Sequence, residues 1–252
     1  MSKAATMARR AGVARGALLY ENPLAAEGDI ADFVLEGQAQ ISIHDGAVRI
    51  ASALDEALGQ AANYVWWCPE ELPSDVWLEW DFWPEAERGL CMFFFAARGR
   101  GGEDLFDPQL PRRTGEYRQY NRGAIDALHV SYYRRRAERS RLNLCNLRKS
   151  HGFHLVASAA DPIPAAHRAT PPYRLQVVKA GTHVGFWIDE LPVLHFADDG
   201  QAYGPLLGEG KVGFRQMAPM VGRYANLRAY AVEKTEAFDW AAALAQPLDD
   251  GG

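Results

Sequence analysis

The sequence predicts an all-β protein, folded as a sandwich or a barrel of antiparallel strands. From about residue 30 onward, short runs rich in Val, Ile, Phe, Trp and Tyr alternate with Gly, Pro, Asp and Asn, as strands alternate with turns. Two of these runs, YRLQVVKA and THVGFWID, meet across Ala180-Gly181-Thr182, where glycine supplies the positive φ of a tight hairpin. No fixed-period repeat and no Pro-, Gly- or Ser-rich linker divides the 252 residues, so we expect one domain.

The predicted elements begin after a small, basic stretch of about 16 residues, which we interpret as a tail or a short helix. In chain order, the predicted strands are ISIHDGAVRIAS, VWLEWDFWPE, GLCMFFFAARG, LHVSYYRR, RLNLCNL, YRLQVVKAG, THVGFWID, VLHFAD, KVGFRQM and YANLRAYAVE. The hairpin and VLHFAD should form a three-stranded meander. Residues 97–116 and 146–172 are longer than ordinary loops, and they either contribute ligand contacts or cap sheet edges.

Composition excludes several classes of function. The chain has 32 acidic and 27 basic residues, a formal charge of −5, so we expect neither nucleic acid nor an anionic membrane as a partner. Its three widely spaced cysteines indicate free thiols, and its apolar runs are too short for a signal core or a membrane span, which predicts a cytoplasmic protein. The sequence contains no P-loop, G-x-G-x-x-G, G-x-S-x-G or convincing metal triad, so we predict no cofactor and assign no metal ligands.

Four segments stand out: QYNRGAIDALHVSYYRR, NLRKSHGFHLV with the DPIP that follows it, the hairpin ending in FWIDE, and GKVGFRQMAPMVGRYANLRAY. Together they resemble the YesU-like family of bacterial proteins of unknown function, which is associated with genes for plant cell-wall polysaccharide breakdown. That family is similar in fold to the concanavalin-like lectins and glucanases. The resemblance therefore implies a concanavalin-like jelly-roll sandwich of two antiparallel sheets with a concave groove. It covers about residues 17–235 and leaves a tail (1–16) and a C-terminal segment (236–252).

The run VWLEWDFWPE divides into two faces, because alternate residues of a strand point the same way. The apolar set, which should face the core, is Val76, Leu78, Trp80 and Phe82. The mixed set is Trp77, Glu79, Asp81 and Trp83. Indole rings that stack on pyranose faces and carboxylates that accept hydrogen bonds from hydroxyls are typical of a sugar-binding groove. The alternative is a solvated outer face with tryptophans at its edge.

Glu79 and Asp81 also suggest a glycosidase, in which one carboxyl group is the acid and the other the nucleophile or base. Strand geometry separates them by about 6–7 Å, between the spacings of retaining and inverting enzymes. Glucanases of the superfamily that this chain resembles have a third acid at the next position on that face, where this sequence has Trp83. That departure weakens the hydrolase interpretation, although Glu85 could substitute if the strand bulges.

The run LHVSYYRRR predicts a second polar face. His129, Ser131, Tyr133 and Arg135 alternate on one side, and Val130, Tyr132, Arg134 and Arg136 on the other. Burying such polar groups without partners is costly, so we place the first set on the concave face and interpret Arg134 and Arg136 as outward charges.

The residue types on that first face are those that a polysaccharide lyase needs. An Arg or Asn neutralises the uronate carboxylate, a His or Tyr removes the C5 proton, and a Tyr protonates the leaving oxygen. We predict His129 and Tyr133 in the proton-transfer roles, with Gln119, Asn121 and Arg135 as carboxylate partners. A structural hydrogen-bonded cluster, or sugar recognition without chemistry, stays open.

Other polar residues could extend the groove. Arg148 and His151 belong to a basic cluster that could meet an acidic sugar, and Arg215 and Asn226 lie on the closing strands, where Tyr224, Asn226 and Arg228 should share one face. We therefore expect a carbohydrate-active protein that binds an oligosaccharide with an acidic sugar and cleaves it by elimination or hydrolysis. The alternative is a non-catalytic carbohydrate-binding or assembly module. The sequence leaves homo-oligomer formation open.

Overall fold

Two antiparallel β-sheets form the body of the protein, as the sequence predicts. The computed structural model describes residues 13–135 and 143–234, so Arg136, the segment 236–252 and most of the predicted tail lie outside the described residues. The strands are β1 (Val13–Asn22), β2 (Val34–Glu36), β3 (Ala39–His44), β4 (Ala47–Ser52), β5 (Tyr64–Leu72), β6 (Val76–Pro84), β7 (Gly89–Gly99), β8 (Ile125–Arg135), β9 (Leu144–Ser150), β10 (His154–Ala160), β11 (Tyr173–Ala180), β12 (His183–Ile188), β13 (Leu191–Ala197), β14 (Gly210–Met217) and β15 (Val221–Lys234). The helices are short: α1 (Glu27–Ile30), α2 (Arg118–Asn121), and 3₁₀ turns at Glu56–Ala62 and Ala166–Arg168.

The strands divide between two sheets. Sheet A has the order β13-β12-β11-β6-β15-β4-β3, with β1 also paired to β15, and sheet B has the order β10-β9-β8-β7-β14-β5-β2. The pairs within both sheets are antiparallel. β1 begins at Val13, inside the stretch interpreted as a tail, and Val13 lies opposite Lys234 of β15.

The core lies between the sheets. The predicted apolar set of β6 is buried there, which confirms the alternation of that strand. The ring of Trp80 stacks on Phe93 of sheet B with centroids 4.0 Å apart, and Phe82 meets Tyr132 edge-on at 5.2 Å. Each large apolar side chain buried in this way stabilises the fold by about 1.5–3 kcal/mol. Because the inner faces of the two sheets pack against each other in this core, their outer faces point in opposite directions.

The predicted meander is confirmed, and one predicted loop is wrong. β11 and β12 pair from Ala180 opposite His183, and Gly181 in the turn has a φ of 59°. β13 pairs with β12 as expected. The segment 146–172 was expected to be largely irregular, yet β9 continues to Ser150 and β10 forms the edge of sheet B. β10 has the sequence HLVASAA, and its three alanines and serine give a weak strand signal.

The three thiols, Cys68, Cys91 and Cys145, are buried and free, as expected. Within residues 13–135 and 143–234, no three His, Cys, Asp or Glu side chains are grouped so that they could hold a metal ion. None of the helices in these two ranges has the length and apolar character needed to cross a membrane.

Candidate functional site

A cavity of about 420 Å³ opens on the outer face of sheet B, over β8 and the adjacent ends of β7 and β9. His129 and Ser131 lie on this face, as the alternation of β8 predicts, and both line the cavity. Its wall also includes Tyr117, Arg134, Asn146, Arg148 and Phe153. The volume lies within the roughly 300–1,000 Å³ of pockets that hold small ligands.

Tyr117 and His129 form a hydrogen-bonded pair in the wall of the cavity. The distance between Tyr117 Oη and His129 Nε2 is 2.7 Å. Tyr117 immediately precedes α2, where its backbone N–H donates to Gln60 Oε1 and its ring lies edge-on to Phe153 at 5.5 Å. Tyr117 was not among the predicted site residues, because it lies between strands, where alternation assigns no face. The sequence did contain one indication of its role: Tyr117 belongs to the YRQYNRG segment that also holds the predicted Gln119 and Asn121.

Both members of this pair are neutral near pH 7. Burial, followed by the charges of Arg148 and Arg215, lowers the pKa of His129 to about 3. Burial raises the pKa of Tyr117 to about 12, against the opposing charges of Arg215, Arg148 and Arg134. His129 Nδ1 is buried and has no hydrogen-bond partner within the described ranges. Because an orphaned buried N–H is rarer than an orphaned acceptor, we infer that the ring proton is on Nε2 and is donated to Tyr117 Oη.

Tyr133 does not share a face with His129, so that prediction is wrong. Between Tyr132 and Arg135, β8 has one more residue than the facing part of β7, and Tyr133 takes a φ of 49°, which makes a β-bulge. The bulge turns Tyr133 into the core, where its hydroxyl donates to the carbonyl of Ala86 at 2.8 Å. It also brings Arg134, which was expected to point outward, to the cavity.

Arginines dominate the charge of the cavity. Arg88, Arg134, Arg135 and Arg148 line it, and among the described lining residues Glu56 is the one carboxylate. Glu56 accepts from Arg88 at 2.8 Å, and the buried Arg135 donates to Asp161 at 2.9 Å. The guanidinium of Arg148 lies 3.9 Å from the centre of the Phe153 ring. The lining therefore has a positive excess that would attract an anion.

Arg215 lies on β14, immediately behind Tyr117. Its guanidinium carbon is 4.7 Å from the centre of the Tyr117 ring, and its side chain is fully buried. Burial lowers the pKa of Arg215 to about 10, so the group is still charged near pH 7. Of the predicted site residues, the structure thus brings Arg215, Arg148 and Arg135 together with His129.

Glu79 and Asp81 lie on the outer face of sheet A and do not share a groove with His129. Their predicted face is correct, but β6 and β8 belong to different sheets. The Glu79 carboxylate is buried and accepts from Arg15 at 3.0 Å, and Asp81 accepts from Arg174 at 2.6 Å. Both carboxylates form ion pairs with arginines of their own sheet. This arrangement argues against their acting as the acid and the nucleophile or base of a glycosidase.

The other predicted groove residues of sheet A share that outer face. Trp77 packs in a small apolar cluster that includes Trp187, and Trp83 lies under the guanidinium of Arg223 at 5.4 Å. Asn226 takes a φ of 55° in a bulge of β15 and donates to Asp81 at 2.7 Å. Tyr224, before the bulge, lies in the core, and the bulge turns Asn226 to the outer face, so the expectation that Tyr224 and Asn226 share a face is wrong.

Glu79→Gln is expected to leave any sugar-directed activity unchanged and to lower the free energy of unfolding by about 1.5–3 kcal/mol, because a buried charged acceptor is lost. Urea unfolding measures the loss. Glu21→Gln is the matched control, since Glu21 is a more exposed partner of the Arg228 that also faces Glu79. A variant that loses activity while its free energy of unfolding is unchanged would show that Glu79 takes part in that activity.

Three further predicted residues lie near the cavity without lining it. Gln119 is folded back on Thr114, whose backbone N–H donates to Gln119 Oε1 at 2.7 Å. Asn121 is buried, and its carbonyl accepts from the backbone of Gly152. The backbone N–H of His151 donates to Asp126 at 3.0 Å. These contacts hold α2 and the β9–β10 turn in place beside Tyr117.

Comparisons with known proteins agree with this fold. Residues 17–229 match the model of a domain of unknown function, DUF1961. The chain is 49% identical over 216 residues to the uncharacterized protein YesU of Bacillus subtilis, covering 85% of this chain and 96% of that protein. The crystal structure of a Bacillus subtilis protein of unknown function with a galectin-like fold has a TM-score of 0.84 and 47% identity, covering 88% of this chain and 99% of that one.

A more distant likeness shows the fold alone. The κ-carrageenase from Pseudoalteromonas carrageenovora, solved in complex with an oligotetrasaccharide of κ-carrageenan, matches with a TM-score of 0.55 and 9% identity, covering 86% of this chain and 95% of that one. These matches confirm both the resemblance and the jelly-roll fold that the sequence predicts.

Proposed function

The chain belongs to the DUF1961 family, and from the geometry of its cavity we propose that it binds an oligosaccharide containing an acidic sugar and cleaves it by β-elimination. The observation that carries the proposal is the Tyr117–His129 pair, with Oη and Nε2 2.7 Å apart, in a cavity whose described lining has four arginines and one carboxylate. The sugar-binding and sugar-cleaving proteins that share this fold are consistent with such a ligand.

Binding depends on the positive lining. A uronate carboxylate meets Arg134 and Arg148, which line the cavity from β8 and β9, and guanidinium groups match carboxylates in charge and in shape. Asn146 and Ser131 offer hydrogen-bonding groups between them, and Phe153 offers a ring against which a pyranose can pack. Neutralising the carboxylate makes the C5 proton of the uronate more acidic.

The elimination step needs one group that takes a proton and returns it. Tyr117, as the phenolate, takes the C5 proton; the electron pair forms the C4–C5 double bond, and the C4–O4 bond breaks. The new Tyr117 hydroxyl then protonates O4, so the proton lost from C5 appears on the leaving sugar. His129 stays neutral and donates from Nε2 to the tyrosine oxygen, which agrees with its pKa of about 3.

The charge pattern favours elimination over hydrolysis. A glycosidase needs two carboxyl groups flanking the scissile bond. Within the described part of the cavity there is Glu56 alone, and its oxygen is bound to Arg88 at 2.8 Å.

Oligouronides of defined length are the test substrates, with neutral glucans of the same length as the control. Absorbance of the unsaturated uronate and new reducing ends should rise together with oligouronides and stay flat with glucans. Arg148→Met should weaken oligouronide binding by about 10–100-fold, because a charge-assisted contact is lost. Arg174→Met, an arginine of the opposite face, is the matched control.

Each outcome of that assay has a clear meaning. Reducing ends without absorbance would indicate hydrolysis and overturn the elimination. Calorimetric binding of oligouronides without either signal would leave a non-catalytic sugar-binding module. If oligouronides bind no better than glucans, the acidic ligand is wrong.

A further inference from the structure

Arg215 is a buried cation with no carboxylate partner among residues 13–135 and 143–234. Its hydrogen bonds go to neutral acceptors: Gln60 Oε1 at 3.3 Å, the carbonyl of Gly115 at 3.2 Å and Met92 Sδ at 3.8 Å. Its Nε is buried and makes no hydrogen bond within the described ranges. In those ranges Arg215 forms no ion pair with an Asp or Glu, so its charge is held by neutral dipoles.

Other buried cations of the protein do face carboxylates. Arg113 donates to Glu36 at 2.7 Å, and Lys149 donates to Asp198 at 2.6 Å. A buried charge without a counter-charge costs several kcal/mol after relaxation of the protein. Arg215 therefore differs from Arg113 and Lys149, and it lies beside the cavity.

The groups around Arg215 that can ionise to an anion are tyrosines: Tyr64, Tyr117 and Tyr120. The hydroxyl of Tyr120 donates to Glu36 at 2.8 Å, and that of Tyr64 is hydrogen-bonded to Gln216, so both are engaged away from the cavity. Tyr117 is the member of this group that lines the cavity. Of these three tyrosines, Tyr117 is therefore the one that a reaction in the cavity could convert to a phenolate beside Arg215.

We propose that Arg215 is a positioning residue whose guanidinium is the counter-ion of a Tyr117 phenolate, an inference that rests on the proposed elimination. The charged or titratable groups that face Tyr117 are His129 and Arg134 from β8, Arg148 from β9 and Arg215 from β14. Arg134 and Arg148 line the cavity, where a bound uronate neutralises them. Arg215 is shielded from that ligand, so its charge still acts on Tyr117 in the complex.

The test needs no substrate. 3,5-Difluorotyrosine incorporated at position 117 ionises at a lower pH than tyrosine, and its fluorine resonances report the ionisation in the folded, ligand-free protein. Removing the charge with Arg215→Met should raise the midpoint of this titration so that the acid dissociation constant falls about tenfold or more, given the 4.7 Å between guanidinium and ring. Arg215→Lys, which keeps the charge, should restore most of the wild-type midpoint.

Arg223→Met is the matched control, because Arg223 also lies over an aromatic ring, that of Trp83, but on sheet A. Its midpoint should equal that of the wild type. An unchanged midpoint in Arg215→Met overturns the proposal. Arg215→Gln replaces that variant if Arg215→Met does not fold, and an unchanged midpoint in Arg215→Gln overturns the proposal in the same way. A raised midpoint without any unsaturated product from oligouronides would overturn the elimination and leave the coupling of Arg215 to Tyr117.

Discussion

Tyr117→Phe is expected to lower the rate of uronate elimination by about 10²–10⁴-fold, the range typical of a lost general acid–base group. The substitution removes the one oxygen that exchanges protons with the sugar and leaves the ring in place against Phe153 and Arg215. Because the arginines of the cavity are untouched, the affinity for oligouronides should change by less than about threefold. Initial rates of absorbance increase and calorimetric binding measure the two effects separately.

Tyr133→Phe is the control, since Tyr133 was the tyrosine expected at the site and is buried in the core instead. It should keep the elimination rate and lose about 1 kcal/mol of stability with the hydrogen bond to Ala86.

The pH dependence of the elimination rate gives a second check on Tyr117. Since burial raises the pKa of Tyr117 to about 12, the phenolate fraction, and with it the rate, should rise about tenfold per pH unit between about pH 6 and 9. A rate that falls with pH in this range would exclude Tyr117 as the base.

Glu36→Ala is expected to lower the free energy of unfolding by about 3–5 kcal/mol, the range for breaking a buried ion pair from one side. Glu36 lies on β2 at the edge of sheet B and is 8% exposed. Its carboxylate accepts from Trp67 Nε1 at 2.9 Å, from Tyr120 Oη at 2.8 Å and from Arg113 Nη2 at 2.7 Å. The substitution leaves all three donors buried and Arg113 without its counter-charge.

Urea unfolding of the wild type and the variant measures this loss. Glu71→Ala is the matched control, because Glu71 pairs with Arg98 at the surface, and it should change stability by less than about 1 kcal/mol. The elimination rate should also fall in Glu36→Ala, since Tyr120 and Arg113 flank Tyr117 in the segment that Glu36 holds to sheet B. A loss below about 1 kcal/mol would show that these donors find other partners.

The fold was largely predictable because its evidence is local and periodic. The β11–β12 hairpin follows from alternation around Gly181, and the core face of β6 follows from a regular apolar period. The separation of Glu79 from His129 could not be predicted in the same way. It depends on which sheet each strand joins, and strands that alternate identically can pair with different partners.

The site was harder to predict because two bulges interrupt the period on which the face assignments depend. At Tyr133 and at Asn226, a residue with positive φ adds one position to the strand and exchanges the faces that follow. Tyrosine rarely adopts the left-handed conformation, so the sequence gives no sign of the bulge at Tyr133, and the asparagine at 226 is only a weak signal of it. Tyr117 was not predicted for another reason: the segment before α2 has no hydrophobic periodicity from which a face could be assigned.

The bulge at Tyr133 also links the face of Arg134 to the number of residues before it. Two consecutive tyrosines, Tyr132 and Tyr133, lie in the core, and Arg134 is therefore on the outer face with the cavity. A relative with one tyrosine fewer needs no bulge, and regular alternation keeps its arginine on the same outer face. When relatives are aligned, a gap within YYRR therefore belongs at one of the two tyrosines, because this placement alone matches the cavity cation to Arg134.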